Sequence, residues 1–94
     1  MRENGKRSDM EIAAAILQVA LNGAKKSHII YKANLNFKLG KKYLTRLIKS
    51  GLIEGPDERH QVFSTTEKGV EYLKYVEGFK QFMPVSNDGM VVAP

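Results

Sequence analysis

A chain of 94 residues makes one small domain, with enough core for a compact fold and too little for a large catalytic cleft. Its 43% hydrophobic and 27% charged residues are those of an ordinary soluble globular protein. There is no cysteine, which excludes a disulfide, a thiolate metal site or a thiol nucleophile and fits a reducing cytoplasm.

The formal net charge of +5 is unevenly spread. Residues 1–50 hold eleven Lys and Arg against three acids, a net +8, whereas residues 51–94 hold four against seven, a net −3. A polyanion would therefore meet the first half of the chain.

Residues 1–7 are polar and basic and read as a flexible arm. Ser8-Asp9-Met10-Glu11 is a capping box, in which Ser8 and Glu11 each satisfy a free backbone N–H of the other. The helix it opens is expected to reach Asn22, with Gly23 as its stop and Ile12, Ala13, Ile16, Leu17, Val19 and Ala20 buried. A basic start before Ile12–Leu21 resembles a signal peptide, but Glu11 and Gln18 interrupt the apolar run and the capping box marks a folded helix. No other stretch approaches a membrane span.

Ser27 next caps a short helix over His28–Ala33, and Asn34-Leu35 makes a tight turn. Asn36 caps a third helix, 37–50, which Gly51 closes in the left-handed conformation. Phe37, Gly40, Leu44, Leu47 and Ile48 fall on one face of this helix, and Lys38, Lys41, Lys42, Thr45 and Lys49 on the other, with Arg46 on the flank. Two helices joined by so short a turn form a helix-turn-helix, whose second helix is shaped for a major groove. A basic face is more often simply solvated, so the charge asymmetry of the chain is what favours an anionic partner.

Leu52-Ile53-Glu54 and Gln61-Val62-Phe63-Ser64 flank a Gly-Pro-Asp turn and read as a hairpin, the wing. Thr66 caps a last helix from Glu67 to about Phe82, ended by Pro84. Val70 and Leu73 are expected to meet Ile12 and Ile16. Tyr72, Val76, Phe79 and Met83 recur at spacings of four, three and four, a coiled-coil seam for a second copy. The remaining tail, to residue 94, has no periodicity and reads as mobile.

Several strings resemble the small, dimeric, DNA-binding winged-helix proteins of archaea. They are Leu21-Asn22-Gly23-Ala24-Lys25-Lys26-Ser27-His28-Ile29, Tyr31-Lys32-Ala33-Asn34-Leu35, Lys41-Lys42-Tyr43-Leu44, Gly51-Leu52-Ile53 and Thr66-Glu67-Lys68-Gly69. The resemblance runs in order from about Arg7 to Tyr75. It implies DNA binding through the third helix and wing, and dimerisation through a C-terminal helix paired antiparallel with its mate. The chain departs from the family pattern at Leu39-Gly40, where the family has a polar residue and then leucine. Glycine there suggests a helix that bends or begins late, with Leu39 turned inward to fill the gap, or else exposed against a thymine methyl. The wing tip also departs, since Asp57 and Glu58 repel phosphate and only Arg59 attracts it.

The expected fold is therefore mainly α with a small β-hairpin (α+β): a winged helix-turn-helix over 8–65, a dimerisation helix over 66–83, and flexible tails 1–7 and 84–94. The residues expected to face double-stranded DNA are Lys25, Lys26, Asn36, Lys38, Lys41, Lys42, Thr45, Arg46, Lys49 and Arg59. Lys25 and Lys26 are placed there because they flank free N–H groups at the start of the second helix. Lys42, Thr45 and Arg46 are the expected base readers. Tyr72, Val76, Phe79 and Met83 are expected to hold the homodimer. The function this implies is that of a transcriptional regulator, the alternatives being a protein-docking module of the transcription machinery and an RNA-binding domain.

No cofactor, metal or small-molecule substrate is expected. His28 and His60 lie in different elements, and Asp57-Glu58 on an open turn lack the burial that separates catalytic pKa values. Tyr31 and Tyr43 could stack on bases, but Tyr43 beside Leu44 and Leu47 reads as a core-edge residue with its hydroxyl in water.

Overall fold

The computed structural model describes residues 7–82. Met83 and the segments 1–6 and 84–94 therefore lie outside the described residues. The elements in order are α1 (Asp9–Val19), β1 (Ala24–Lys25), α2 (Lys26–Lys32), α3 (Phe37–Lys49), β2 (Ile53–Glu54), β3 (Val62–Thr65) and α4 (Glu67–Phe82).

The capping box at Ser8 is in place, with the Ser8 hydroxyl accepting from Glu11 N–H at 3.1 Å and the Glu11 carboxylate from Ser8 N–H at 3.0 Å. The helix ends at Val19, three residues short of Asn22, because β3 takes over its C-terminal carbonyls. Thr65 donates its backbone N–H to Ala20 at 3.0 Å and its hydroxyl to Leu17 at 2.7 Å. Gly23, at φ +89°, then turns the chain into β1.

Strand β1 is absent from the sequence reading. It pairs antiparallel with β3, Ala24 opposite Phe63 and Lys25 opposite Val62. β3 also pairs with β2, Ile53 opposite Thr65, so the sheet order is β1-β3-β2. Because β1 carries the chain straight into α2, that helix begins at Lys26. Ser27 lies inside it, and Lys25 occupies the cap position without a side-chain bond. Arg7 donates to the Ala33 carbonyl at 2.7 Å, a cation at the negative end of α2.

Asn36 caps α3, its side-chain oxygen accepting from Leu39 N–H at 2.8 Å. Gly51 (φ +78°) closes it, with Leu52 N–H bonded to Leu47 and Gly51 N–H to Ile48, a Schellman arrangement. Gly40 neither delays nor leaves a gap in this helix. Its N–H bonds Asn36 at 2.9 Å, and a Cβ built there would lie 2.5 Å from Ile30 Cγ1. Glycine at 40 is what lets α2 press onto α3, while Leu39 does turn inward, half-buried against the core.

Ile16, Leu17, Ile29 and Ile53 form the fully buried centre. Helix α4 lies along α1 and closes this core. That packing overturns part of the expected seam: Val76 is 4% exposed within its own domain and Tyr72 is half-buried on the core. Helix α4 presents to α1 a stripe wide enough to include both, and among its described side chains the exposed aromatics are Tyr75 and Phe79. Two residues assigned to the inner face of α3 also emerge, Phe37 at 53% and Ile48 at 37% exposed. Tyr43 takes their place, buried beside Leu44 and Leu47.

Candidate nucleic-acid interface

The buried side of α3 is Gly40, Tyr43, Leu44 and Leu47. At 100° per residue, Lys38, Lys42, Thr45 and Lys49 stand in a row directly opposite, all exposed. Lys41 lies to one side of the row and Arg46 to the other. The helix contains no acidic residue. Among the described residues the one charged pair within bonding distance is His60 with Asp57, so no described carboxylate satisfies these cations. Such ammoniums carry counterions that a phosphate chain can displace.

The flanks are structured. On one side Arg46 sits 5.4 Å from the centre of the Tyr43 ring, whose hydroxyl donates to the Asp9 carboxylate. That bond, burial and the Asp9 charge raise the Tyr43 pKa, and Arg46 opposes them. The hydroxyl expected in water thus has a protein partner, and it ties α3 to the start of α1. On the other side the exposed Phe37 ring lies within cation–π reach of two lysines, Lys26 Nζ at 5.4 Å and Lys41 Nζ at 5.8 Å from its centre.

Other expected contacts are dispersed. Lys25 is exposed at the sheet edge facing Val62, and Lys26 is half-buried. Asn36 uses its oxygen to cap α3, which leaves its amide nitrogen for any ligand. Arg59 and Glu58 are exposed in the wing. Asp57 is not a free charge at the wing tip. Its carboxylate turns back to accept Val62 N–H at 2.6 Å and His60 N–H at 3.3 Å. The Val62 bond in particular holds its pKa below the usual carboxylate value. A depressed carboxylate supports the folded wing above its unfolded pKa, and that support is lost as pH falls through the folded value.

His28 and His60 are both exposed, and among the described residues no group of three His, Cys, Asp or Glu converges on a point. No described helix is long and apolar enough to cross a membrane. Tyr31 is exposed on α2, a different helix from the one that carries the basic row.

What the sequence reading missed is the Phe37 cluster. Helical spacing puts Phe37 near Leu44 and Ile48, on the apolar side. Only the packing of α2 onto Gly40, with Tyr43 buried, turns that flank outward.

The sequence matches the winged helix-turn-helix family over residues 6–83. Among solved structures the fold is similar to Sso10a-2, a DNA-binding protein from Sulfolobus solfataricus, with a TM-score of 0.71 and 30% identity over 80% of each chain. It is also similar to ZitR, a zinc-responsive MarR family member from Lactococcus lactis. There the TM-score is 0.56 and the identity 24%, over 85% of this chain and 58% of that one, a likeness of fold alone. No curated protein sequence matches the chain.

Proposed function

The chain belongs to the winged helix-turn-helix family, and from that premise we propose that it binds double-stranded DNA as a homodimer, with α3 in the major groove and transcriptional regulation as its role. The observation that carries this reading is the exposed Lys38–Lys42–Thr45–Lys49 row on a helix without acids. The naming of Sso10a-2 as a DNA-binding protein supports it.

Lys42 and Thr45, at the middle of the row, are placed to meet base edges. Lys38, Lys41 and Lys49 reach phosphates at its ends and side, and Arg46, held on the Tyr43 ring, grips the strand on the opposite flank. Lys25, Lys26 and Arg59 add phosphate contacts at the edges. A protein-docking role fits this face poorly, because docking surfaces are depleted in lysine. A-form RNA fits it poorly too, because its major groove is too narrow for a helix.

Titration of duplex affinity against salt tests the reading. The logarithm of the association constant should fall linearly with the logarithm of salt concentration, by ~0.9 per phosphate neutralised. RNA duplex should bind more weakly than DNA of the same sequence. No measurable duplex binding at low salt would leave the docking module as the better reading.

The dimer reading rests on α4. Tyr75 (79% exposed) and Phe79 (49% exposed) lie one turn apart on the side turned away from α1. A second copy of α4 would cover them, in place of the expected row through Val76. Tyr75→Asp with Phe79→Asp should give folded monomers by light scattering and unchanged circular dichroism. A wild-type protein already monomeric at tens of micromolar, well above the range of ordinary dimer constants, defeats the idea.

A further inference from the structure

We propose that Phe37 is a specificity-determining residue that reads a thymine methyl group in the major groove. The inference rests on the duplex-DNA reading of α3 and adds to it a base contact made without a hydrogen bond.

Phe37 is the first residue of α3. Helix-turn-helix proteins bring the N-terminal residues of the recognition helix against base edges. Its ring is half exposed, although the core lies one helix face away, so its position does not come from burial. Two ammoniums flank it instead: Lys26 from the start of α2, at 5.4 Å, and Lys41 from the next turn of α3, at 5.8 Å. Each is drawn to the ring by its quadrupole, which helps to orient it.

With α3 in the groove, both ammoniums seek phosphate oxygens of the groove wall, and the ring they contact, on the first residue of the helix, is brought to the adjoining base edge. The apolar feature that the major groove offers there is the C5-methyl of thymine, which phenylalanine contacts well. Leu39, the other apolar side chain in the first turn of α3, is half-buried against the core, whereas the Phe37 ring is exposed.

Replacing thymine by uracil removes this methyl and keeps every hydrogen-bonding group. Burying a group of that size is worth about 0.8 kcal/mol, which is about fourfold in affinity. The wild type should therefore bind a short duplex of alternating dA and dT about fourfold or more tightly than the same duplex built with dU. Phe37→Ala should bind the two equally, which also corrects for any difference in shape between the duplexes. Lys41→Ala should weaken both, by loss of a phosphate contact, and reduce the preference, because the ring loses one of the two ammoniums that orient it.

The chain has four tyrosines and no tryptophan, so Phe37→Trp supplies a unique tryptophan at the site, which red-edge excitation reads apart from the tyrosines. Its emission should change on adding the dT duplex, and less with the dU duplex. Equal wild-type affinity for dT and dU duplexes, a preference retained in Phe37→Ala, or a Phe37→Trp emission indifferent to DNA each overturns the inference and leaves DNA binding intact. A wild type that binds neither duplex overturns the DNA reading and this inference together.

Discussion

Replacing Lys38, Lys42 and Lys49 together by glutamate is expected to abolish duplex binding at physiological salt while the protein stays folded. All three side chains are exposed in one row of α3, and none belongs to the Gly40–Tyr43–Leu44–Leu47 face that holds the helix to the domain. In the milder triple alanine variant, the two lost phosphate contacts of Lys38 and Lys49 should lower the salt slope by ~1.8, at ~0.9 each, and the loss of Lys42 removes a base-edge contact. Charge reversal goes further, because each lost attraction becomes a repulsion from the same phosphate. Thermal melting separates loss of binding from loss of fold. The largest stability cost foreseen is at Lys49, a cation in the last turn of α3, worth ~0.3–1 kcal/mol to the helix dipole. Among single variants, Thr45→Ala should cost ~1–3 kcal/mol on a preferred site only, by removing a base-edge contact. If the triple glutamate variant keeps wild-type affinity, α3 is not the DNA-reading element.

A second large effect is expected far from that face. Gly69→Ala should destabilise the domain by about 3 kcal/mol or more, the upper end of what overpacking usually costs. A Cβ at residue 69 would overlap the Leu52 carbonyl oxygen and lie 2.5 Å from Thr65 Cγ2. A backbone carbonyl held by Thr66 N–H at 3.0 Å cannot step aside as a flexible side-chain tip can. The same junction is tied by Thr66, whose hydroxyl donates to Gly51 at 2.7 Å and accepts from Gly69 N–H at 3.1 Å, and by Lys68, which donates to Ser50 at 3.0 Å. Moving α4 to make room would break these bonds and lift Val76 and Leu73 from the core. A domain this size is stable by roughly 5–15 kcal/mol, so the loss should be plain in a denaturant midpoint. A Gly69→Ala protein as stable as the wild type shows that the junction relaxes freely. The Thr66-Glu67-Lys68-Gly69 string thus has a physical cause: a cap that also pins the end of α3, followed by the one residue small enough for the approach.

The elements that were legible in the sequence are those whose determinants lie within a few residues of one another. The capping box at Ser8, the Asn36 cap, the Gly51 closure and the Thr66 cap each depend on a side chain or φ angle acting on the adjacent turn. The helical spacing of Leu44 and Leu47 against Lys38, Lys42, Thr45 and Lys49 separates core from solvent in the same local way. Those signals were enough for the helix-turn-helix and the basic face of α3; turn chemistry marked the hairpin, and the resemblance of several strings implied the winged-helix family.

Only the tertiary structure decided what depends on partners distant in the chain. Strand β1 is two residues long, too short for any alternation, and exists because β3 offers it a ladder. The end of α1 is set by Thr65, 48 positions beyond Leu17, which takes the carbonyls of Leu17 and Ala20. Gly40, read locally as a defect, is a contact surface once Ile30 is placed against it. Val76 leaves the expected dimer seam, and Phe37 leaves the expected core, because a helix has a wide apolar arc and its neighbours choose which part of the arc is covered. Periodicity specifies that a helix has an inner and an outer side. The angle at which that side meets the rest of the protein is a property of the packed whole.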